Sequence, residues 1–419
     1  MAAEHKGNET EATLEHSVKT AEIHDSPTYS RKMVVATAIV LGAVAVRLFF
    51  LDYQSLDYLG FVQRWYEYIQ QHGGFAALKD NFANYNAPYL YLLAAASYLP
   101  IPPLLAVKLI SIVFDGLLGW FAYRILTLRI FRYPAGPVPA AGAAVVVLLP
   151  TVVLNGSMWA QADSIYAAFS AGGLYYLLRH RPWLACSFFG LALAFKLQAV
   201  FLFPVLLLLV LRRTVPWQAL AAIPGVYLLL DVPALLLGAD PRSLLLVYLD
   251  QAETYDQLTL NAPNVYQYLN VTQSDVLRDA GIALTGVLVL GLIAVVVLRR
   301  IELTGTRILL AAAVSALLVP FLLPSMHERY FYLADVLTVL VACQLPRRLW
   351  YVPVLTQFAS LFSYLPFLLL PGRLQELAAD PKLMFAPVVD FRILATAVLV
   401  ALTGTLLVAR REFQRGRQS

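Results

Sequence analysis

The chain has 419 residues, of which 60% are hydrophobic and only 14% are charged, and its mean hydropathy is +0.68. Soluble domains are nearer half apolar and about a quarter charged, so an ordinary soluble enzyme, a disordered protein and a disulfide scaffold are excluded. Apolar runs near the ~20 residues of a membrane crossing predict a polytopic membrane protein. The net charge of +5 is typical of basic cytoplasmic loops and does not indicate a nucleic-acid partner.

Residues 1–30 are polar and lack hydrophobic periodicity, which predicts a disordered tail. A transmembrane domain over residues 31–411 and a short second tail at 412–419 are expected to follow. We predict an all-α, polytopic transmembrane helix bundle of about twelve spans. The candidate spans are 33–51, 103–127, 139–154, 163–179, 183–195, 198–211, 217–237, 281–298, 307–323, 330–345, 349–370 and 387–409.

The long loop at 52–103 carries an apolar pattern with helical spacing. Phe61, Trp65, Tyr68 and Ile69 recur along one face, which predicts an amphipathic helix on the membrane surface.

A short apolar piece at 88–100 follows in the same loop. Pro88 suits its first turn, and three prolines at 100, 102 and 103 end it, so we expect a re-entrant or interfacial helix. A second long loop is expected at 239–280.

Basic residues recur at alternate ends of the predicted spans. If the N-terminus is cytoplasmic, seven basic groups fall on the cytoplasmic side, so both termini face the cytoplasm and both long loops face outward. The groups are Arg31/Lys32, Arg124/Arg129/Arg132, Arg179/Arg181, Arg212/Arg213, Arg299/Arg300/Arg307, Arg347/Arg348 and Arg410/Arg411. A bacterial plasma membrane is the simplest location for a chain of this kind.

Several polar side chains lie within or beside the spans, where the cost of burying them favours a functional role. They are Asp57, Asp115, Gln161, Asp163, Lys196, His327, Glu328 and Arg329. In the predicted topology most of them fall at the outer ends of helices. We therefore predict one outward-facing cavity that combines carboxylates, a carboxamide and cations.

Lys196 lies in a stretch that is short for its topology. Residues 183–211 must cross twice in only 29 residues, because Arg181 and Arg212 are both expected to be cytoplasmic. We predict two half-length helices that meet near Lys196, with the turn protected inside a cavity.

Structural interpretations stand beside the functional ones. Asp57 and Asp163 are each placed to cap a helix. Asp115 is equally compatible with a hydrogen bond inside the bundle, and Lys196 with a side chain that extends to the interface. The 327–329 cluster also fits an ordinary polar turn. The common placement of these residues favours a site.

The cavity faces away from ATP and nucleotide sugars, and the sequence lacks the GxxxxGK[ST] and GxGxxG motifs. A substrate with its own lipid anchor, such as a polyprenyl-phosphate sugar, suits it. Lys196, His327 and Arg329 would bind the phosphate and stabilise it as it leaves. A carboxylate would take the proton of the acceptor hydroxyl, and one displacement would invert the anomeric centre.

The order of the motifs resembles that of the GT-C superfamily of polytopic glycosyltransferases. An acid in the first external loop precedes YNAPYLYL (85–92), an Asp in the next helix, WAQADS (159–164), FKLQ (195–198) and HERYF (327–331). The order is similar to that of the lipid-linked-oligosaccharide glucosyltransferases, the glycosylphosphatidylinositol mannosyltransferases and their prokaryotic relatives, over about residues 33–345.

This resemblance implies glycan biosynthesis with a polyprenyl phosphate donor such as dolichyl phosphate. The sugar would be a hexose, mannose or glucose first, and the acceptor a glycolipid, a glycan or a protein. Asp57 becomes the expected catalytic base, with Asp52 as the second choice. The sequence departs from a DxD or Asp-Glu pair, so we expect no metal and no other cofactor.

Other residues are expected to bind sugar or acceptor. The segment NAPNVYQYL resembles an external-loop segment of these enzymes, and its candidates are Asn261, Asn264 and Tyr266. The aromatic candidates are Trp65, Tyr85 and Trp159, although an aromatic belt at the outer interface explains them nearly as well.

Two other functions fit the same features. A transporter or flippase of lipid-linked sugars would use these residues as a polar gate, but no internal repeat supports it. A non-catalytic scaffold would bind such lipids without turnover.

Overall fold

The computed structural model describes residues 27–253, 255–369 and 387–414, so most of the predicted tails lie outside the described residues. The chain divides into two compact units, residues 1–48 and 49–419. The first unit contributes α1 (Pro27–Leu48), which includes the last four residues of the predicted tail. A proline is well tolerated in a first helical turn because the missing N–H has no partner there. All elements below belong to the second unit.

The loop after α1 is largely helical. It contains a π-helical turn (Tyr58–Val62), α2 (Gln63–Gln71), a 3₁₀ turn (Gly74–Lys79) and α3 (Ala87–Ala96). A helix is therefore present where the sequence predicts one. Trp65 and Ile69 are buried in a small core with residues of α3. At 10 residues, or about 15 Å, α3 is half as long as a membrane crossing requires.

The helices of the bundle follow in chain order. They are α4 (Pro103–Leu126), α5 (Val138–Leu148), α6 (Pro150–Val153), α7 (Asp163–Leu178), α8 (Pro182–Phe195), α9 (Phe203–Leu211), α10 (Ala222–Leu237), α11 (Pro241–Glu253), α12 (Asp275–Leu298), α13 (Gly305–Leu322), α14 (Tyr332–Gln344), α15 (Pro346–Leu349), α16 (Tyr351–Leu368) and α17 (Phe391–Gln414). A π-helical turn (Leu154–Met158) and 3₁₀ turns at Leu197–Leu202, Trp217–Ala221 and Val265–Tyr268 complete the helical structure.

Among the described residues, six helices are long and apolar enough to cross a membrane. They are 103–126, 217–237, 275–298, 305–322, 351–368 and 391–414. A seventh crossing results if the bent pair 138–148 and 150–158 is one span. Helices occupy the positions of all twelve predicted spans. Several of these helices are too short to meet the length criterion for a crossing, so the number of twelve crossings stays a prediction. The most buried of the six is α13, whereas α12 exposes most of its surface.

The predicted break near Lys196 is present. The helix α8 ends at Phe195, Lys196 is extended (φ −155°, ψ 136°), and a 3₁₀ turn leads into α9. The 14 residues of α8 span about 21 Å, less than the bilayer core. Non-helical backbone at such a depth requires protein or water around it.

Two short strands, which the sequence did not predict, join distant loops. In parallel register, β1 (Thr259–Leu260) pairs with β2 (Met326–His327), and Asn261 also bridges to His327. The second long loop is thereby held beside the 327–329 cluster.

Candidate functional site

Most of the predicted site residues line one cavity of about 420 Å³. Its wall includes Asp57, Trp65, Tyr85, Gln161, Lys196, His327, Glu328 and Arg329. These residues come from the first loop, the segment before α7, the break after α8 and the loop before α14. The structure thus brings together the segments that the topology predicted to converge.

Asp57 directs its carboxylate into this cavity. The helix start that Asp57 was placed to cap is instead capped by Ser55, whose Oγ accepts a hydrogen bond from Tyr58 N (3.1 Å). The carboxylate of Asp57 accepts a 2.5 Å hydrogen bond from Gln161 Nε2. It also lies 3.7 Å from Arg329 Nη1, and its side chain is 32% exposed. The carboxylate is therefore oriented by partners but still accessible.

The backbone before α7 is shaped to present Gln161. Ala160 has a left-handed conformation (φ +64°), which costs a non-glycine residue roughly 1–2 kcal/mol. Surrounding hydrogen bonds hold this turn: Gln161 N donates to Asn155 O (3.0 Å), and Ser55 Oγ donates to Trp159 O (2.6 Å). The first loop and the WAQADS segment are consequently tied together at Ser55, two residues before Asp57.

Lys196 forms a buried ion pair at the floor of the cavity. Its Nζ lies 2.5 Å from Asp163 Oδ1, and the Asp163 side chain is fully buried. Asp163 also accepts from Asn155 Nδ2 (2.8 Å) and lies 3.8 Å from Arg329 Nε. As the first residue of α7, its negative charge suits the positive end of the helix dipole. Asp163 thus positions both cations rather than capping the helix with its side chain.

The 327–329 cluster is a compact charged turn. Glu328 is buried and accepts from Arg329 Nη1 (2.8 Å), and His327 Nδ1 lies 3.6 Å from its other oxygen. Burial acts to raise the pKa of Glu328, but Arg329 and His327 outweigh it and the pKa lies below its ordinary value. Arg329 stacks over Trp159, 5.7 Å from the ring centroid. Glu328 and Trp159 thus hold the guanidinium at the cavity wall.

The charges around the cavity are nearly balanced. Three carboxylates, Asp57, Asp163 and Glu328, face two permanent cations, Lys196 and Arg329. Another anion would then require further positive charge, because buried charges need compensation. Arg278, at the start of α12, lines the same cavity as a third permanent cation.

Aromatic rings form the other wall. The rings of Trp65 and Tyr85 lie 5.7 Å apart at an oblique angle, next to Tyr89. Burial and the nearby Asp163 raise the pKa of Tyr85, and burial raises the pKa of Tyr330 to about 12. Both hydroxyls therefore remain protonated and can donate hydrogen bonds. Trp159 packs behind the wall against Tyr364 and Phe367.

The remaining candidates lie outside the cavity wall. Asp52 is exposed. Asp115 is buried in α4 and packs against Gly156. The approach is close, because a Cβ added to Gly156 would lie 3.4 Å from the Asp115 carboxylate. Asn264 caps the 3₁₀ turn that follows it, and Tyr266 donates to Leu322 O (2.9 Å).

The loop that carries Asn264 and Tyr266 is tied to the end of α13. Besides the Tyr266 bond, Asn264 Nδ2 donates to Leu323 O (3.4 Å). With the bridge from Asn261 to His327, these contacts hold the 327–329 cluster in place.

Lys108 is a further polar residue of this region that the sequence analysis does not single out, although it lies inside the predicted span 103–127. Its buried Nζ donates to three backbone carbonyls, Phe50 O (2.7 Å), Leu51 O (2.9 Å) and Tyr53 O (2.6 Å). The criterion that selected Lys196, an ionisable group in an apolar run, also applies to Lys108. Lys108 fixes the turn that leads to Asp57.

No group of three or more His, Cys, Asp and Glu side chains within the described ranges is arranged to hold a metal ion. Both cysteines, Cys186 and Cys343, are free thiols.

No protein-family model matches the sequence, and no curated protein is significantly similar to it. Among solved structures, the chain is similar to the crystal structure of ArnT from Cupriavidus metallidurans bound to undecaprenyl phosphate. The TM-score is 0.51 at 15% sequence identity, and the match covers 91% of this chain and 77% of that chain. The chain therefore shares its all-α fold with ArnT, in agreement with the predicted helix bundle, and several of its helices are long and apolar enough to cross a membrane.

Proposed function

We propose that the protein is an inverting glycosyltransferase that moves a hexose from a polyprenyl-phosphate donor to an acceptor hydroxyl. The observation that carries this proposal is the placement of the Asp57 carboxylate, 3.7 Å from Arg329 Nη1 and open to a cavity. A base and a phosphate-binding cation side by side suit a displacement in which one bond forms as the other breaks. The shared fold with ArnT supports the same reaction class.

A lipid-linked donor is favoured by the position of the cations. Lys196 lies at the break between two half-length helices, so its ammonium group is within reach of a phosphate at membrane depth. The solved structure of ArnT contains undecaprenyl phosphate, a lipid of the same class. Arg278 adds positive charge at the same cavity wall, where His327 can donate a hydrogen bond to the phosphate.

The proposed step is a single displacement. A carboxylate oxygen of Asp57 takes the proton of the acceptor hydroxyl as that oxygen attacks the anomeric carbon. The bond between this carbon and the phosphate oxygen breaks, and the electron pair leaves with the polyprenyl phosphate. Arg329 and Lys196 stabilise the phosphate from fixed positions, so no reorganisation is needed as charge develops. No metal is required in this scheme.

The finer identity of the substrates follows the motif resemblance. Mannose or glucose is the expected sugar, and Trp65 and Tyr85 offer aromatic surface and a hydroxyl donor beside Asp57. The acceptor would be a glycolipid, a glycan or a protein. It would enter from the extracytoplasmic face, which the positive-inside pattern assigns to this end of the bundle.

Purified protein, reconstituted with a radiolabelled polyprenyl-phosphate hexose and membrane extract, tests the proposal. We expect labelled acceptor to accumulate, with polyprenyl phosphate as the second product and no loss of rate in EDTA. A rate that EDTA abolishes and Mg²⁺ restores would contradict the metal-free scheme. Movement of labelled lipid between leaflets without transfer would identify the alternative, a flippase.

A further inference from the structure

A second concave surface, which we name the basic groove, lies between α9, α12, α13 and α17. Its volume is about 530 Å³. Its wall is apolar along most of its length and includes Leu208, Ile293, Val296, Leu318 and Leu407, and Arg299 and Arg410 also line it. Both arginines lie near the C-terminal ends of their helices. The groove thus combines an apolar channel with two cations at one end.

These arginines differ from others on the same side of the bundle. Arg307 donates to the backbone oxygens of Glu302 (2.7 Å) and Glu412 (2.8 Å), and Arg348 pairs with the Glu412 carboxylate. Arg307 and Arg348 therefore serve the fold. Arg299 and Arg410 are exposed, and their side chains form no hydrogen bond or ion pair with any described residue. Their charge is available to an external anion.

The basic end of the groove is far from the proposed donor site. Arg278 at the start of α12 lines the cavity, and Arg299 follows its last turn. The two residues are 21 steps apart along the chain, about 32 Å at ~1.5 Å per residue, which is close to the thickness of a bilayer core. One lipid phosphate cannot occupy both ends, so the two arginines would meet a headgroup in the opposite leaflet.

We propose that the basic groove binds an anionic glycerophospholipid. Its phosphate lies between Arg299 and Arg410, and its acyl chains lie along the apolar wall. Two cations without internal partners complement the phosphate, and basic pockets between helices on the cytoplasmic side commonly bind anionic headgroups. Little of α12 is buried inside the protein, so this lipid would cover part of its exposed surface, and the outer end of the same helix reaches the cavity.

Native mass spectrometry with the full-length protein tests this site. Phosphatidylglycerol and phosphatidylcholine with identical acyl chains are titrated separately, and we expect a clear preference for phosphatidylglycerol. Each arginine near a headgroup contributes about 1 kcal/mol, so Arg299→Gln with Arg410→Gln should weaken phosphatidylglycerol binding roughly 30-fold. The matched control, Arg300→Gln with Arg411→Gln, removes the same charge from positions outside the groove wall. It should change binding less than threefold.

Three results would overturn the proposal. The first is an equal affinity for the two lipids, and the second is an equal loss of phosphatidylglycerol binding in the two double variants. The third is displacement of phosphatidylglycerol by an equimolar amount of polyprenyl phosphate. The last result would assign the groove to the donor lipid. All four substitutions are at exposed positions, and gel filtration of each variant checks the fold. Because no readout depends on sugar transfer, failure here is distinguishable from failure of the proposed enzyme activity.

Discussion

Gln161 donates a 2.5 Å hydrogen bond to the carboxylate of Asp57, across 104 positions of the chain. This bond orients the proposed base, and the strained backbone of Ala160 beside it holds the amide in place. The bond therefore orients the carboxylate, and its loss should lower the turnover rate more than it weakens substrate binding.

Gln161→Leu should lower the turnover rate roughly 10- to 100-fold, the usual range for a hydrogen bond to a charged group. The KM for the donor should change less than threefold, because Lys196 and Arg329 are untouched. Gln63→Leu is the control, since Gln63 makes a comparable bond to Glu67 on the exposed side of α2. A purely raised KM in Gln161→Leu would contradict an orienting role.

Variants of the ion pair between Lys196 and Asp163 distinguish a role in stability from a role in sugar transfer. Lys196→Met leaves the Asp163 carboxylate buried without its main partner, which should destabilise the protein by about 3–5 kcal/mol. Adding Asp163→Asn should restore most of the thermal unfolding midpoint in detergent. Sugar transfer should stay low in both variants, because the proposed phosphate-binding cation is absent. A double variant as active as the wild type would rule out Lys196 as a donor contact.

Lys108 should affect Asp57 at a distance. Lys108→Met removes three hydrogen bonds to the 50–53 turn, so we expect a lower unfolding midpoint and a turnover rate reduced roughly 10-fold. Lys79→Met removes an exposed lysine from the same loop region and should change neither quantity. Wild-type turnover with a lowered midpoint would show that Lys108 serves stability alone.

The orientation in the membrane is tested by cysteine labelling from outside intact cells. Cys186 and Cys343 are first replaced by alanine, and single cysteines are then placed at Val271 and at Arg300, both exposed. We expect a membrane-impermeant maleimide to label the cysteine at position 271 and to miss the cysteine at position 300. The reverse pattern would put the proposed site in the cytoplasm and exclude the donor chemistry.

The sequence was informative about helix positions and about which segments meet. The break at Lys196 followed from the spacing between Arg181 and Arg212, because membrane thickness limits how chain length can be used. The convergence of Asp57 with the 327–329 cluster followed from the same orientation rule.

The hydrogen-bond and ion-pair partners of individual side chains could not be predicted from the sequence. Asp57 and Ser55 are both suited to cap a helix, and only tertiary packing decided that Ser55 would do so. Ala160 carries no sequence sign of its left-handed backbone, since glycine is the residue expected there. The near balance of charge in the cavity depends in part on contacts between distant residues, such as Asp57 and Arg329, which local patterns do not contain.

The most direct test of the proposed chemistry is the single-turnover rate of Asp57→Asn at saturating donor. Asparagine keeps the size of the side chain and an oxygen that can accept from Gln161, so the change removes mainly the basic carboxylate. We predict a rate about 10²- to 10⁴-fold below wild type with donor binding retained, whereas the exposed control Asp52→Asn remains active. A single-turnover rate for Asp57→Asn equal to that of wild type would contradict Asp57 as the base.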